Sequence, residues 1–268
     1  MINVIVLTRT YNQQTLEMHK QFLDSLLKSR LTNYVIKLIV IENNSIKEFS
    51  TQWYDYVVSK YQKFFYQDKS FRYVFDNIEK PFNMNKFYNY GLPFLNNDFP
   101  YVLFCNSDLI FKSGWLEECI KVFNSNSDAG VVFPSSTIPS FQFGIATQNG
   151  EVSSAGFRVG PPRDVIIEET GDSCPGWMFL FQKQFWDKIG FWDEDFPGWF
   201  QDWDMYQTIL SLGKKVYYTR NATVDHLEGQ TFKPLLKENT TEYDRLNKGK
   251  ETYKKKWKKT DLAQYISF

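Results

Sequence analysis

Two short segments hold the residues best suited to chemistry. The first is Asn106-Ser107-Asp108, directly after the apolar run Tyr101–Cys105. Alternate residues at a strand end bring two oxygen-bearing side chains near each other, and Asp108 supplies the full charge. A hard divalent cation takes oxygen ligands, one or two from protein and the rest from phosphate and water. Such a cation helps a diphosphate leave as an anion. The second segment runs from Gly190 to Asp204, where Asp193, Glu194, Asp195, Asp202 and Asp204 lie among Phe191, Trp192, Phe196, Trp199, Phe200 and Trp203. Carboxylates beside aromatic walls acquire raised pKa values and can take a proton from a hydroxyl. Asp202 is also placed to cap the helix that follows it, and the sequence leaves both readings open. His226 follows the short apolar run Ala222–Val224 and is a candidate third metal ligand or a structural histidine. The other histidine, His19, falls in a helical stretch and receives no role.

The elements that must position these groups alternate. Short β-branched runs at Ile2–Leu7, Val35–Ile41, Phe71–Phe75, Tyr101–Cys105 and Gly130–Phe133 read as buried strands. Apolar residues at helical spacing fill Gln13–Arg30, Phe49–Phe64, Met84–Leu95 and Leu116–Phe123 between them. This order predicts a mostly parallel sheet covered on both faces. Ligands of such sheets bind at the carboxyl ends of the strands. The clusters there are Thr8-Arg9-Thr10-Tyr11-Asn12, Glu42-Asn43-Asn44-Ser45, Asp76-Asn77 and Asn106-Ser107-Asp108. Each one alone is what a turn requires; four at one edge point to a shared site. Residues 134–172 read as loops and a small antiparallel element, Gln182–Ile189 and Asp202–Leu212 as helices, and Lys215–Thr219 as a strand.

Composition narrows the functional classes. The 268 residues carry 31 Lys+Arg and 31 Asp+Glu, so a general nucleic-acid-coating protein is disfavoured. Aromatic residues make up 18%, which excludes bulk disorder. Cys105, Cys119 and Cys174 form no CxxC pair, so neither a disulfide framework nor a thiolate zinc site is expected. No GxxxxGK[ST] or GxGxxG occurs. The opening apolar run is too short for a signal-peptide core and no run is long enough to span a membrane, so a cytoplasmic protein is expected and the sequons at Asn43, Asn221 and Asn239 read as chance.

The order of these motifs resembles a nucleotide-sugar glycosyltransferase of the GT-A fold, closest to glycosyltransferase family 2, over residues 1–232. Val4–Asn12 resembles the family's opening strand and its nucleotide-side "TYN" turn, and Ile39–Ser45 its "VVDNGS" segment with Glu42 in place of Asp. Asn83–Gly91 resembles the "N.G...ARN.G" stretch, with Lys86 the nearest cation to the missing Arg. Phe104–Asp108 resembles the DxD metal motif in an "NSD" form, followed by Trp115-Leu116. Pro175–Leu180 and Ile189–Glu194 resemble the acceptor-side block. Gln201-Asp202-Trp203-Asp204 resembles "EDxD", and Val224–Thr231 the "H..G.S/T" block.

The resemblance implies a GT-A, Rossmann-like α/β fold: a mostly parallel central sheet flanked by helices, with a small antiparallel acceptor-side element. It implies a nucleotide-sugar half at about 1–133, an acceptor half at about 134–232 and a basic helical extension at 233–268. It implies inverting transfer of a sugar from a nucleotide-diphosphate donor, UDP by family weight, to an acceptor hydroxyl. Asp202 would be the general base. Asp108 and His226 would hold Mn²⁺ or Mg²⁺. Thr8, Arg9, Tyr11, Glu42, Asn44, Asn85, Lys86, Asn106 and Ser107 would line the nucleotide, and Trp177, Asp193, Glu194 and Trp203 the acceptor side. The rivals are a non-catalytic carbohydrate- or nucleotide-binding module on the same fold and a nucleotidyltransferase. Lys248, Lys250, Lys254, Lys255, Lys256, Lys258 and Lys259 around Tyr253 and Trp257 read as a solvated helix face. The sharper alternative is a contact for an anionic acceptor or a membrane surface.

Overall fold

The computed structural model describes residues 1–29, 34–65, 72–78, 82–137, 165–166, 174–227 and 241–258. Its first half is an alternation: β1 (Ile2–Thr8), α1 (Gln13–Lys28), β2 (Ile36–Asn43), α2 (Lys47–Phe65), β3 (Arg72–Ile78), α3 (Met84–Gly91) and β4 (Tyr101–Asn106). Then come β5 (Leu109–Phe111), α4 (Trp115–Ser125), β6 (Ala129–Ser135), β7 (Val165–Ile166), β8 (Met178–Gln182), α5 (Lys183–Ile189), α6 (Gln201–Ser211), β9 (Lys215–His226) and α7 (Thr241–Trp257).

β1 and β2 are buried along nearly their whole length, as strands covered by helices on both faces must be. α1 starts at a capping box. The Asn12 side chain accepts from the Thr15 N–H at 2.8 Å, and the Thr15 hydroxyl accepts from the Asn12 N–H at 3.2 Å. Its buried face carries Leu16, Phe22, Leu23, Leu26 and Leu27. α3 ends where Pro93 enters, and the chain continues as a 3₁₀ turn over Leu92–Phe94 rather than as α-helix to Leu95.

Among the described residues the strands form one nine-stranded sheet in the order β3-β2-β1-β4-β8-β6-β9-β5, with β7 beside β9. β3, β2, β1 and β4 are parallel; β8 enters antiparallel to both β4 and β6; β6 and β9 are parallel. Register aligns Asn77, Glu42 and Thr8 across one end of the parallel strands, with Asn106 opposite Leu7. The four strand-end clusters therefore do share an edge.

Three features depart from the sequence expectation. β8 and the three-residue β5 are strands, and the separate runs at Lys215–Thr219 and Ala222–Val224 belong to one strand, β9. Its polar interruption, half-buried Arg220 and exposed Asn221, falls where the register with β6 skips from Pro134↔Thr219 to Ser135↔Thr223. A proline opposite three extra residues makes an enlarged bulge, which is how a ladder changes direction. Beyond the skip, β9 leaves β6 and pairs with β5. Most of the antiparallel element expected at 134–172 lies outside the described residues; β7, antiparallel to β9, is the part seen.

The aromatic content is spent in the core. Phe104, Phe179, Phe181, Trp186 and Trp192 pack as one cluster, with Phe104–Trp186 centroids 4.4 Å apart and Phe179–Trp192 4.9 Å. Truncating any of these to alanine would cost about 3–5 kcal/mol. No helix among the described residues is long and apolar enough to cross a membrane.

Candidate active site

Asp108 and His226 are far apart in sequence, and the β5–β9 ladder joins them. Leu109 pairs with His226, and the Leu227 N–H donates to the Asp108 carbonyl at 2.9 Å. His226 Nε2 then stands 3.4 Å from Asp108 Oδ1, with both residues 3% exposed. Burial by itself would raise the Asp108 carboxyl, but attraction to His226 holds it below its usual value. Trp177 stacks on the imidazole at 5.5 Å and 20°. Asp225, one residue earlier, is engaged elsewhere: it accepts from Thr137 N–H and Oγ1 and pairs with Lys112 at 2.8 Å.

These residues fit a divalent cation. Asp108 Oδ1 and His226 Nδ1 are buried without a hydrogen-bond partner, a state that otherwise costs about 1–3 kcal/mol each. No group of three His, Cys, Asp or Glu suited to a metal occurs among the described residues. A cation here would draw its remaining ligands from diphosphate and water, as Mg²⁺ commonly does.

The parallel-strand edge continues from this pair. Asn106 is half-buried and its N–H donates to the Trp177 carbonyl at 2.9 Å; Ser107 is buried. Thr8 is buried with its hydroxyl unpartnered, and the Arg9 guanidinium lies 5.4 Å from the Tyr11 ring. Asn85 on α3 donates to the Asp193 carbonyl at 2.6 Å and leaves its own oxygen unpartnered. Asn44 and Lys86 are exposed, Asn44 with φ 51°.

Glu42 lies between two turns. It is fully buried, and three hydroxyls donate to its carboxylate: Thr10 and Ser45 to Oε1, Ser50 to Oε2. Ser45 Oγ also accepts from the Thr10 N–H at 2.8 Å. Burial nonetheless raises the Glu42 carboxyl above its usual value, against the lowering effect of the hydroxyls. Glu42 stitches the β1–α1 turn to the β2–α2 turn. The sequence placed Thr10 in a strand-end cluster and drew no attention to Ser50; the contact of both with Glu42 depends on the meeting of distant turns.

Asp202 sits in the first turn of α6, after Phe200, whose φ of 65° makes the sharp entry into the helix. The Asp202 carboxylate accepts from the Trp203 N–H at 3.1 Å, and its carbonyl accepts from Cys174 Sγ at 3.2 Å. A Cβ at Gly176 would stand 3.4 Å from Asp202 Oδ2, so the backbone there lies against the carboxylate. Burial pushes the Asp202 carboxyl up to about 7. The turn Pro175-Gly176-Trp177 therefore touches Asp202 at one residue and His226 at the next. It brings Asp108, Asn106, His226, Trp177 and Asp202 into one neighbourhood.

The other acceptor-side residues are engaged by neighbouring elements. Glu194 accepts from Asn89 Nδ2 at 3.0 Å, and Asp193 pairs with Lys256 at 2.8 Å. Trp203 is buried against Phe200 and Tyr253. Of the lysine-rich run, Lys254 pairs with Glu251 at 3.1 Å and Lys256 with two carboxylates, Lys250 is half-buried, and Lys248, Lys255 and Lys258 are exposed. Lys259 lies outside the described residues. His19 is fully buried beside Trp53, 5.6 Å between centroids, and burial lowers its pKa to about 4, so it is neutral.

A mostly parallel sheet entered by antiparallel strands and flanked by helices is the architecture of the GT-A class. Many solved structures share the fold, and three illustrate it. The mannosyltransferase PcManGT from Pyrobaculum calidifontis, in complex with GDP-Man and Mn²⁺, matches with a TM-score of 0.60 at 11% identity, over 98% of this chain and 76% of that one. S. aureus TarS 1-349 matches with a TM-score of 0.53 at 17% identity, over 82% of this chain and 60% of that one. Its complex with UDP matches at 0.51 and 16% over the same shares. The chain thus spans less than two thirds of the TarS structures it resembles. No curated protein matches it. The sequence profile of Glycosyl transferase family 2 matches residues 5–186, and the chain belongs to that family.

Proposed function

We propose that the chain transfers a sugar from a nucleotide-diphosphate sugar to an acceptor hydroxyl, with inversion at the anomeric carbon. The supporting observation is the 175–177 turn, which packs Gly176 against Asp202 and Trp177 on His226. It sets a carboxylate poised near neutrality beside a buried Asp–His pair whose His226 Nδ1 has no hydrogen-bond partner.

Asp202 takes the proton of the acceptor hydroxyl as its oxygen attacks the anomeric carbon, and the carbon–oxygen bond to the diphosphate breaks on the opposite face. A base with a pKa near the working pH is suited to this, and a positioned base is worth about 10²–10⁴-fold in rate. Asp108 and His226 would hold Mn²⁺ or Mg²⁺, which supplies positive charge to the departing diphosphate. Thr8, Arg9, Asn85 and Asn106 would face the nucleotide. Glu42 would hold the β1–α1 turn, which carries Arg9, against the β2–α2 turn, rather than meet the nucleoside itself. UDP is the proposed nucleotide, in keeping with the TarS–UDP complex.

The test is a panel of UDP-, GDP- and dTDP-sugars with Mn²⁺, Mg²⁺ or chelator, read by thermal shift and nucleotide release. Metal-dependent stabilisation by one nucleotide is expected, with slow release from its sugar donor that falls in Asp108→Ala. Stabilisation without release or transfer from any donor, across an acceptor screen, would overturn the enzymatic reading in favour of a binding module.

A further inference from the structure

The lysine-rich helix α7, which none of the motifs includes, packs along the base-bearing segment. Lys256 Nζ lies 2.7 Å from Asp204 Oδ1 and 2.8 Å from Asp193 Oδ2, with Asp204 6% and Asp193 26% exposed. Trp257 Nε1 donates to the same Asp204 oxygen at 2.8 Å. One turn back, Tyr253 is fully buried against Phe200 and Trp203, at 5.8 and 5.7 Å between centroids. Before that, α7 approaches so closely that a Cβ at Gly249 would stand 2.6 Å from the Trp199 carbonyl oxygen. The helix is thus seated along residues 193–204, on both sides of the left-handed Phe200 from which Asp202 projects. The same segment is tied to the donor edge, where Asn85 and Asn89 of α3 hold the carbonyls of Asp193 and Trp192.

We propose that Lys256 is a positioning residue of the transfer reaction. Resting on the function proposed above, it fixes the α6 entry against α3 and neutralises Asp204, so that Asp202 alone faces the acceptor as a proton-taking carboxylate. α7 is on this reading part of the catalytic unit. A 1 Å misplacement of a reacting group costs about 10²-fold in rate, and loss of an interaction made only in the transition state lowers kcat without weakening nucleotide binding.

The experiment uses the full chain with its releasing donor and acceptor. Lys256→Met, Lys256→Arg and Trp257→Phe are compared with wild type for kcat, donor KM, and the Kd of the nucleotide with Mn²⁺, each normalised to folded protein by circular dichroism. Lys256→Met is expected to lose about tenfold in kcat with nucleotide Kd unchanged. Arginine should restore most of the loss, and Trp257→Phe should lose about threefold. Unchanged kcat in folded Lys256→Met would overturn the proposal while leaving the transferase reading intact. So would a loss shared equally by nucleotide Kd. Should Lys256→Met not fold, unchanged kcat in Trp257→Phe overturns it in the same way. Absence of release from every donor in wild type removes both readings together.

Discussion

Asp202 gives a prediction in which catalysis and stability move in opposite directions. Its carboxyl is raised from 3.8 to about 7 by burial. The folded state therefore holds a proton that the unfolded state has released between those values. Stability must then fall as pH rises through that window and level off above it. Each pKa unit corresponds to 1.36 kcal/mol, so the full displacement is worth about 4 kcal/mol. Water reaching the half-buried carboxylate reduces this to about 2–3 kcal/mol. Asparagine at 202 keeps the shape and removes the charge. Urea unfolding of wild type and Asp202→Asn from pH 4 to 8.5 should show the variant gaining 2–3 kcal/mol on wild type by about pH 7.5, and no more beyond. The same substitution should lower kcat by about 10²–10⁴-fold. In wild type, kcat/KM should rise with pH through about 7, because the base must be ionised. A stability difference independent of pH, with an unchanged rate, would refute both the burial argument and the assignment of the base.

Four further outcomes are expected. His19→Gln should remove an acid sensitivity: the buried neutral ring binds a proton only near pH 4, the unfolded one near 6.5, so wild type loses stability as pH falls between them. Urea unfolding at pH 5 and 7 reads this, and identical pH slopes would exclude it. Asp108→Ala should abolish the metal-dependent part of nucleotide binding in calorimetry, leaving any metal-independent part. Glu42→Ala should cost about 2–4 kcal/mol by denaturant titration, because the hydroxyls of Thr10, Ser45 and Ser50 lose their acceptor. Gly249→Ala should lower the melting temperature, since the added methyl collides with the Trp199 backbone.

The parallel half of the fold is legible because its strands are contiguous apolar runs, and burial on both faces demands such runs. Ile2–Leu7 and Tyr101–Cys105 each sit within one residue of the observed strands. β9 was harder, since Arg220-Asn221 looks like a turn until Pro134 opposite supplies the reason for a bulge. β5 is too short to carry a periodic signal. In the candidate site, Asn106, Asp108, Asp202 and His226 stand out because their residue types and motif order suggest the proposed chemistry. Thr10 and Ser50 do not, because each is an ordinary turn or helix hydroxyl until a distant carboxylate faces it. Lys256 is one lysine among many in its run, and only tertiary packing distinguishes it from Lys255, which faces solvent.

The β5–β9 ladder also sets an order of assembly. The three parallel strands nearest the start of the chain can pair once their helices have formed. Asp108 acquires His226 only when β9 has crossed the sheet and closed a long-range antiparallel contact. Pairings of that kind form late, because the loop between them must close before the contact is rewarded. A growing chain would thus join β1, β2 and β3 well before Asp108 meets His226.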